Sequence, residues 1–226
     1  MKVTLQHLTK KFPSRSKKDP REVVAVNDFC FEIPDGKLIG LLGPSGCGKS
    51  TTLNLLSGLQ EPTSGKIFFG DDDVTSLPPE HRGVGLVFQN YALYPHLTVL
   101  QNIRFPLENR KGKDRLTKEQ MNEKALEAAK LVQIEGLLER KPSELSGGQQ
   151  QRAAIARSVL AKPELIIADE PTGNLDKKTG DEVLELLTAC AARFGQTLIV
   201  VTHDPQIAKK ADRVICIEDG RIREGE

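Results

Sequence analysis

Nine consecutive residues carry phosphate chemistry: Gly43, Pro44, Ser45, Gly46, Cys47, Gly48, Lys49, Ser50 and Thr51. They fit G-x-x-x-x-G-K-[ST], follow an apolar run at residues 38–42, and precede a helix-like run at 52–57. The glycines let backbone N–H groups converge on phosphate oxygens at a helix N-terminus. Lys49 is placed to neutralise β and γ phosphates, and the Ser50 hydroxyl to ligate Mg²⁺. The bland alternative, a glycine turn joining strand to helix, explains neither the lysine nor the hydroxyl. Cys47 inside this loop reads as a small filler whose oxidation would block the site.

A second chemical centre lies at residues 165–170, Leu-Ile-Ile-Ala-Asp-Glu. This is a buried-strand pattern ending in two carboxylates, a costly place for acids unless a cation or a reactive water needs them. Asp169 suits Mg²⁺, and Glu170 suits polarising an attacking water. The run 197–201 ends at Thr202-His203-Asp204, where His203 could hold a γ-phosphate and that water in line. Gln89, closing the run 84–88, offers a neutral amide to both metal and water. Leu145-Ser146-Gly147-Gly148-Gln149 precedes a helical stretch at 150–161 and offers N–H groups to an anion without lysine or metal ligand. One reading is a capping loop. The other is a contact to the γ-phosphate of a nucleotide held by a second chain.

These residues need strand ends to hold them. Apolar runs at 38–42, 165–168, 197–201 and 214–217 alternate with helical stretches, which predicts a largely parallel sheet covered by helices. Ligands of such sheets gather at the carboxyl ends of the strands. The strand candidates 3–8, 29–33 and 66–69 lack crossover helices and predict an antiparallel layer. Between about 90 and 160 the strand signals fade, while Met121, Ala125, Ala128 and Val132 repeat at helical spacing, predicting a helical subdomain. The charged stretches 14–22 and 109–117 are expected to be solvated loops.

With 226 residues and 38% hydrophobic side chains, one sizeable core is within reach. Thirty-two Lys and Arg against 31 Asp and Glu leave no strong field for nucleic acid or anionic lipid. No run reaches the roughly 18 apolar residues that cross a bilayer. The first residues lack a signal-peptide apolar region, so a cytosolic location is expected. Cys30, Cys47, Cys190 and Cys216 form no C-x-x-C pair, and in sequence the four histidines do not cluster near them, which argues against disulfides and a zinc site.

Taken together, residues 43–51, Gln89, 145–149, 165–170, Asn174-Leu175-Asp176 and His203 resemble the ordered motif set of ABC ATPases across nearly the whole chain. The resemblance implies an α/β P-loop fold of one ABC ATPase domain spanning 1–226: a RecA-like core, an antiparallel β layer and a helical subdomain. It implies an ATP-binding and ATP-hydrolysing transport subunit that uses ATP and Mg²⁺. It assigns Lys49 and Ser50 to nucleotide and metal, Gln89 to metal and coupling, and Glu170 to the catalytic base. Ser146, Gly147, Gly148 and Gln149 would clamp the ATP of a partner cassette, a homodimer being expected, with Asp176 at the dimer seam and His203 on the γ-phosphate. Phe12 would stack on adenine. Tyr91 and Tyr94, in the apolar loop after Gln89, would receive a transmembrane permease subunit, placing the chain at the cytoplasmic face of a membrane.

The branch has two signatures. Residues 168–176 resemble macrolide-exporter and lipoprotein-release ATPases, whereas 78–82 and 89–99 are similar to sugar-importer ATPases, whose usual C-terminal regulatory domain is not expected here. No N-K-x-D guanine reader occurs, which excludes the GTPase reading. A non-transport ABC protein acting in repair or translation is the rival, and it would require long coiled coils or a second cassette.

Overall fold

The computed structural model describes residues 1–13, 22–108 and 116–223. It divides into two compact units, residues 1–84 with 196–226, and residues 85–195. The solvated loops expected at 14–22 and 109–117 lie outside the described residues except at their edges. There Glu22 pairs with Lys11 at 3.4 Å, and Thr117 caps a helix.

The first unit contains β1 (Val3–Phe12), β2 (Val23–Ile33), β3 (Leu38–Leu42), α1 (Lys49–Ser57), β4 (Ser64–Phe69) and β5 (Asp72–Asp73). Antiparallel pairing in the order β2-β1-β4-β5 builds one layer. Val3 and Leu5 alternate with outward residues and are buried, as a one-sided sheet requires. In β3, by contrast, Ile39, Gly40 and Leu41 are all buried, the signature of a strand covered on both faces.

Returning to this unit, the chain adds β8 (Thr197–Thr202), the short α6 (Pro205–Ala208), β9 (Arg213–Glu218) and β10 (Arg221–Arg223). β3 runs parallel between β8 and β9, with Leu42 opposite Thr202 and also opposite Cys216. The Asp219-Gly220 turn, with both residues at positive φ, closes the β9–β10 hairpin. Arg82 is 5% exposed, and its guanidinium donates to the main-chain oxygens of Leu55, Leu56, Thr75 and Leu77. It thereby closes the C-terminal end of α1, where Gly58 turns the chain at φ 78° and leaves no room for a Cβ beside that guanidinium.

The second unit holds β6 (Val84–Val87) beside β7 (Leu165–Asp169), with α2 (Val99–Glu108), α3 (Lys118–Leu131), α4 (Gly147–Leu160) and α5 (Lys177–Arg193). Helices α2, α3 and α4 pack on one another. Ala125, Ala128 and Ala129 from α3, with Ala153, Ala154 and Ala156 from α4, are small enough for close approach. A Thr117–Gln120 capping box starts α3. Among the described residues no helix is long and apolar enough to cross a membrane.

Two expectations change. The helix expected from Gln150 starts at Gly147 instead. Ser146 accepts the Gln149 N–H while Gln149 reaches back to the Ser146 N–H, a reciprocal cap that outweighs the low helix propensity of two glycines. Histidines and cysteines, apart in sequence, do meet: pairing of β1 with β2 brings His7 Nδ1 to 3.5 Å from Cys30 Sγ. Cys30 is exposed, Cys47 and Cys190 are buried, and all four cysteines are free.

Candidate active site

In the first unit, six residues span the step from β3 to α1. Gly43 and Gly48 are there because nothing larger fits. A Cβ on Gly43 would lie 2.2 Å from the Ile217 oxygen, and one on Gly48, at φ 111°, would lie 2.3 Å from the Ala25 oxygen. Gly46, at φ 82°, faces open space instead, and exposed Pro44 and Ser45 complete the rim. Cys47 is buried beneath them, so its filler reading agrees with its packing. Gly48 is the N-cap of α1 and supplies no side-chain cap, which leaves the first N–H groups of the helix for an external acceptor.

Lys49 is 7% exposed and spans this loop, its Nζ donating to the oxygens of Gly43 at 2.7 Å and Pro44 at 2.8 Å. The ammonium is thus held at the mouth of the cradle by two neutral acceptors that a phosphate oxygen would outcompete. Ser50 is exposed and Thr51 half-buried, while the Thr52 hydroxyl is tied to the Gly48 oxygen. His203 is exposed one residue beyond Thr202, as Gly43 is one beyond Leu42, and these strand ends are paired. The histidine and the lysine loop therefore leave neighbouring strands at the same end. Phe12 closes β1 half-buried, with Lys10 Nζ 5.2 Å from its ring centroid.

In the second unit, Asp169 is the last residue of β7, and Glu170 turns out of the strand at φ 44°. For a non-glycine residue this left-handed backbone costs roughly 1–3 kcal/mol, a cost retained where the surroundings or the chemistry demand it. The turn after Glu170 is fastened at three points. Gly173 N–H donates to the Glu170 oxygen, Leu175 N–H to the Thr172 oxygen, and the fully buried Gln151 of α4 donates to the Pro171 oxygen at 2.6 Å. Asn174 donates from Nδ2 to the Gln89 main-chain oxygen at 2.9 Å, so the exits of adjacent β6 and β7 are joined.

The start of α4 is crowded. A Cβ on Gly147 would meet Tyr91 Oη at 2.8 Å, and one on Gly148 would meet Thr179 Cγ2 at 2.6 Å. Ser146 is exposed and already spends its side chain on the cap. Asp176 has a local duty as the N-cap of α5, accepting from Thr179 N–H at 3.0 Å; hydrogen bonding from the Thr179 hydroxyl, and then from this N–H, holds its carboxyl below the usual range. The loop after Gln89 carries Tyr91 at φ 63° and Ala92 at φ 48°, both braced by Arg157, which donates to their main-chain oxygens. Tyr94 is 38% exposed and packs its ring 4.6 Å from that of Phe105. Partial burial raises the Tyr91 phenol above its ordinary value.

Lys49 and His203 lie in the first unit, and Gln89, Asp169, Glu170, Asp176 and the 146–149 segment lie in the second. Sequence reasoning missed Gln151, Arg157 and Asn102, whose polar side chains bond to main-chain groups that folding brings close.

Residues 26–173 match the family model described as ABC transporter. The xylose/arabinose import ATP-binding protein XacJ of Haloferax volcanii is 43% identical over 223 residues, covering 98% of this chain and 55% of that protein. The maltose/maltodextrin import ATP-binding protein MalK of Salmonella typhimurium is 43% identical over 202 residues, 89% of this chain and 54% of its own length. The chain spans little more than half the length of these curated relatives. Among solved structures, the dimeric post-hydrolysis state of the ATP-binding cassette MJ0796 bound to ADP and Pi superposes with a TM-score of 0.87 at 35% identity, covering 99% of this chain and 97% of that one.

Proposed function

The chain belongs to the ABC transporter family, and from that premise we propose that it is the ATP-binding and ATP-hydrolysing subunit of a transporter. The carrying observation is the glycine cradle at an uncapped helix start, with Lys49 held across its mouth. ATP is the substrate. Lys49 exchanges the Gly43 and Pro44 oxygens for β and γ phosphate oxygens, and the first N–H groups of α1 donate to the same phosphates. Phe12 stacks on adenine.

The Ser50 hydroxyl, the Gln89 amide oxygen and the Asp169 carboxylate would be the oxygen donors that hold Mg²⁺, a hard cation that takes oxygen ligands. When bound, Mg²⁺ would supply charge neutralisation to the phosphate oxygens. Glu170 accepts a proton from the attacking water as its oxygen bonds to the γ phosphorus and the bond to ADP breaks. His203 holds the γ-phosphate in line. Ser146, Gly147, Gly148 and Gln149 complete the site of a second cassette, with Asp176 at the seam. The dimeric, ADP- and Pi-bound state of the MJ0796 cassette supports this sharing.

The loop carrying Tyr91 and Tyr94 is the docking surface for a permease subunit, which places the chain on the cytoplasmic face of a membrane. Import is the direction we infer, because import subunits are 43% identical over nearly the whole chain. The test is the solution mass of Glu170→Gln with and without ATP and Mg²⁺. A nucleotide-dependent shift from monomer to dimer is expected. A protein that binds no ATP overturns the reading, and a nucleotide-bound monomer overturns the homodimer.

A further inference from the structure

Outside the nucleotide machinery, one group of described side chains carries metal-ligand chemistry. His7 on β1 and Asp28 and Cys30 on β2 bring one nitrogen, one oxygen and one sulfur within 4.8 Å of one another. A regular ladder would not do this. Leu5 pairs with Phe31 and Leu8 with Phe29, so three steps on β1 answer two on β2, and β1 bulges between them. His7 takes φ 48° and Asp28 φ 56°, the two left-handed residues of this strand pair. β4 backs the bulge through Gly65, where a Cβ would lie 2.3 Å from the His7 oxygen.

The geometry separates two chemistries. Asp28 Oδ1 lies 2.8 Å, and Cys30 Sγ 3.5 Å, from the same ring nitrogen, His7 Nδ1. A proton relay needs carboxylate and thiol on opposite ring nitrogens, so a nucleophilic triad is excluded. Ligands converging on one point are what remains. In a tetrahedral zinc site the N–S edge is about 3.6 Å and the N–O edge about 3.4 Å. The first is already present, and the second needs an opening of roughly half an ångström between two exposed side chains.

We propose that His7, Asp28 and Cys30 form a surface Zn²⁺ site, with water in the fourth position. Thiolate and carboxylate balance the ion's charge, the thiol proton passing to solvent on binding. The His7 main-chain N–H donates to Cys30 Sγ at 3.1 Å, and the Asp28 N–H to Thr9 Oγ1 at 3.1 Å, supports of the kind that orient metal ligands. Sulfur and imidazole nitrogen favour zinc over the Mg²⁺ that accompanies ATP. All three side chains are exposed, so the ion and its water reach them directly from solvent.

Co²⁺ titration of the metal-free full chain tests the site. The expected spectrum has a thiolate-to-cobalt band in the near ultraviolet and tetrahedral visible bands, both displaced by Zn²⁺. Cys30→Ser removes the thiolate band, and His7→Ala and Asp28→Asn each weaken binding at least about tenfold. ATP binding by each variant verifies its fold. Should a variant fail to fold, Zn²⁺ protection of Cys30 against iodoacetamide, mapped by mass in the unaltered chain, decides. A thiolate band that survives Cys30→Ser, affinity that survives His7→Ala, or Cys30 alkylated equally with and without Zn²⁺ overturns the proposal.

Discussion

Asn174 and Gln89 hold each other: Asn174 Nδ2 donates to the Gln89 main-chain oxygen at 2.9 Å, and Gln89 Nε2 lies 3.5 Å from Asn174 Oδ1. Gly173 sits against this pair, and a Cβ there would lie 2.7 Å from Gln89 Nε2. The obstructed atom is the end of a flexible side chain, so Gly173→Ala moves Gln89 rather than unfolding the turn. Hydrolysis is expected to fall about tenfold to a hundredfold, because a misplacement of about an ångström has that effect on a positioned group. ATP affinity and melting temperature should stay near their original values. Steady-state kinetics beside equilibrium nucleotide binding checks both halves.

Glu170 joins a strained backbone to a catalytic role, and two substitutions separate them. Glu170→Ala and Glu170→Gly both remove the carboxylate and should both abolish turnover. Only glycine relieves the φ of 44°. For a chain of this size, relief of about 1 kcal/mol raises the melting temperature by roughly 2–4 °C, so Glu170→Gly should melt that much above Glu170→Ala. Equal melting temperatures would show that the turn holds no strain there.

Arg82 donates four hydrogen bonds to main-chain oxygens in the interior of the first unit. Removing the side chain leaves four acceptors without it, two of them the Leu55 and Leu56 carbonyls of α1. Arg82→Ala should cost roughly 2–4 kcal/mol in urea unfolding. Arg82→Lys should recover only part of that, because one ammonium cannot reach acceptors spread around a planar fork. Full recovery by lysine would refute the geometric argument.

Arg82 also marks where the sequence stops being legible. β3, β7 and β8 could be read directly, because strands buried on both faces leave pure apolar runs. The lysine loop could be read because its residue types have few other uses. α4 starts three residues before the expected Gln150, since Gly147 and Gly148 look like breakers until the Ser146–Gln149 cap is seen. Buried Arg82, Asn102 and Gln151 carry no local sign of burial, because a long polar side chain looks the same in sequence whether it meets water or carbonyls. The φ of Glu170 and the meeting of His7 with Cys30 depend on a turn and a register that only the folded chain defines.

Asp73 gives a pH dependence with a definite sign. The Thr75 hydroxyl and the Lys66 ammonium hold its carboxyl at about 2. A carboxylate lowered by folding contributes stability above its unfolded value near 4, and loses it as pH falls toward the folded value. The difference in unfolding free energy between the unaltered chain and Asp73→Asn should therefore be constant above about pH 4.5 and shrink between about pH 4 and 2. A difference that does not change through that window would mean that Asp73 titrates alike folded and unfolded.

Asn102 controls the shape of the loop proposed to meet the permease. Fully buried in α2, it accepts from the Tyr94 N–H at 2.8 Å and donates to the oxygens of Tyr94, Leu97 and Thr98. One carboxamide therefore sets the path of the main chain from Tyr94 to Thr98. Asn102→Leu keeps the branched outline of the side chain and removes every one of these bonds, freeing Tyr94 from its place beside Phe105. The loss should appear as weakened assembly with the permease and reduced permease-stimulated hydrolysis. Hydrolysis by the isolated subunit should stay within about twofold, since no ligand or base proposed for ATP lies in this segment. If stimulation survives while the Tyr94 loop is shown to have loosened, the docking surface lies elsewhere. If basal hydrolysis falls in step with stimulation, the loop is part of the catalytic machinery rather than its link to the membrane.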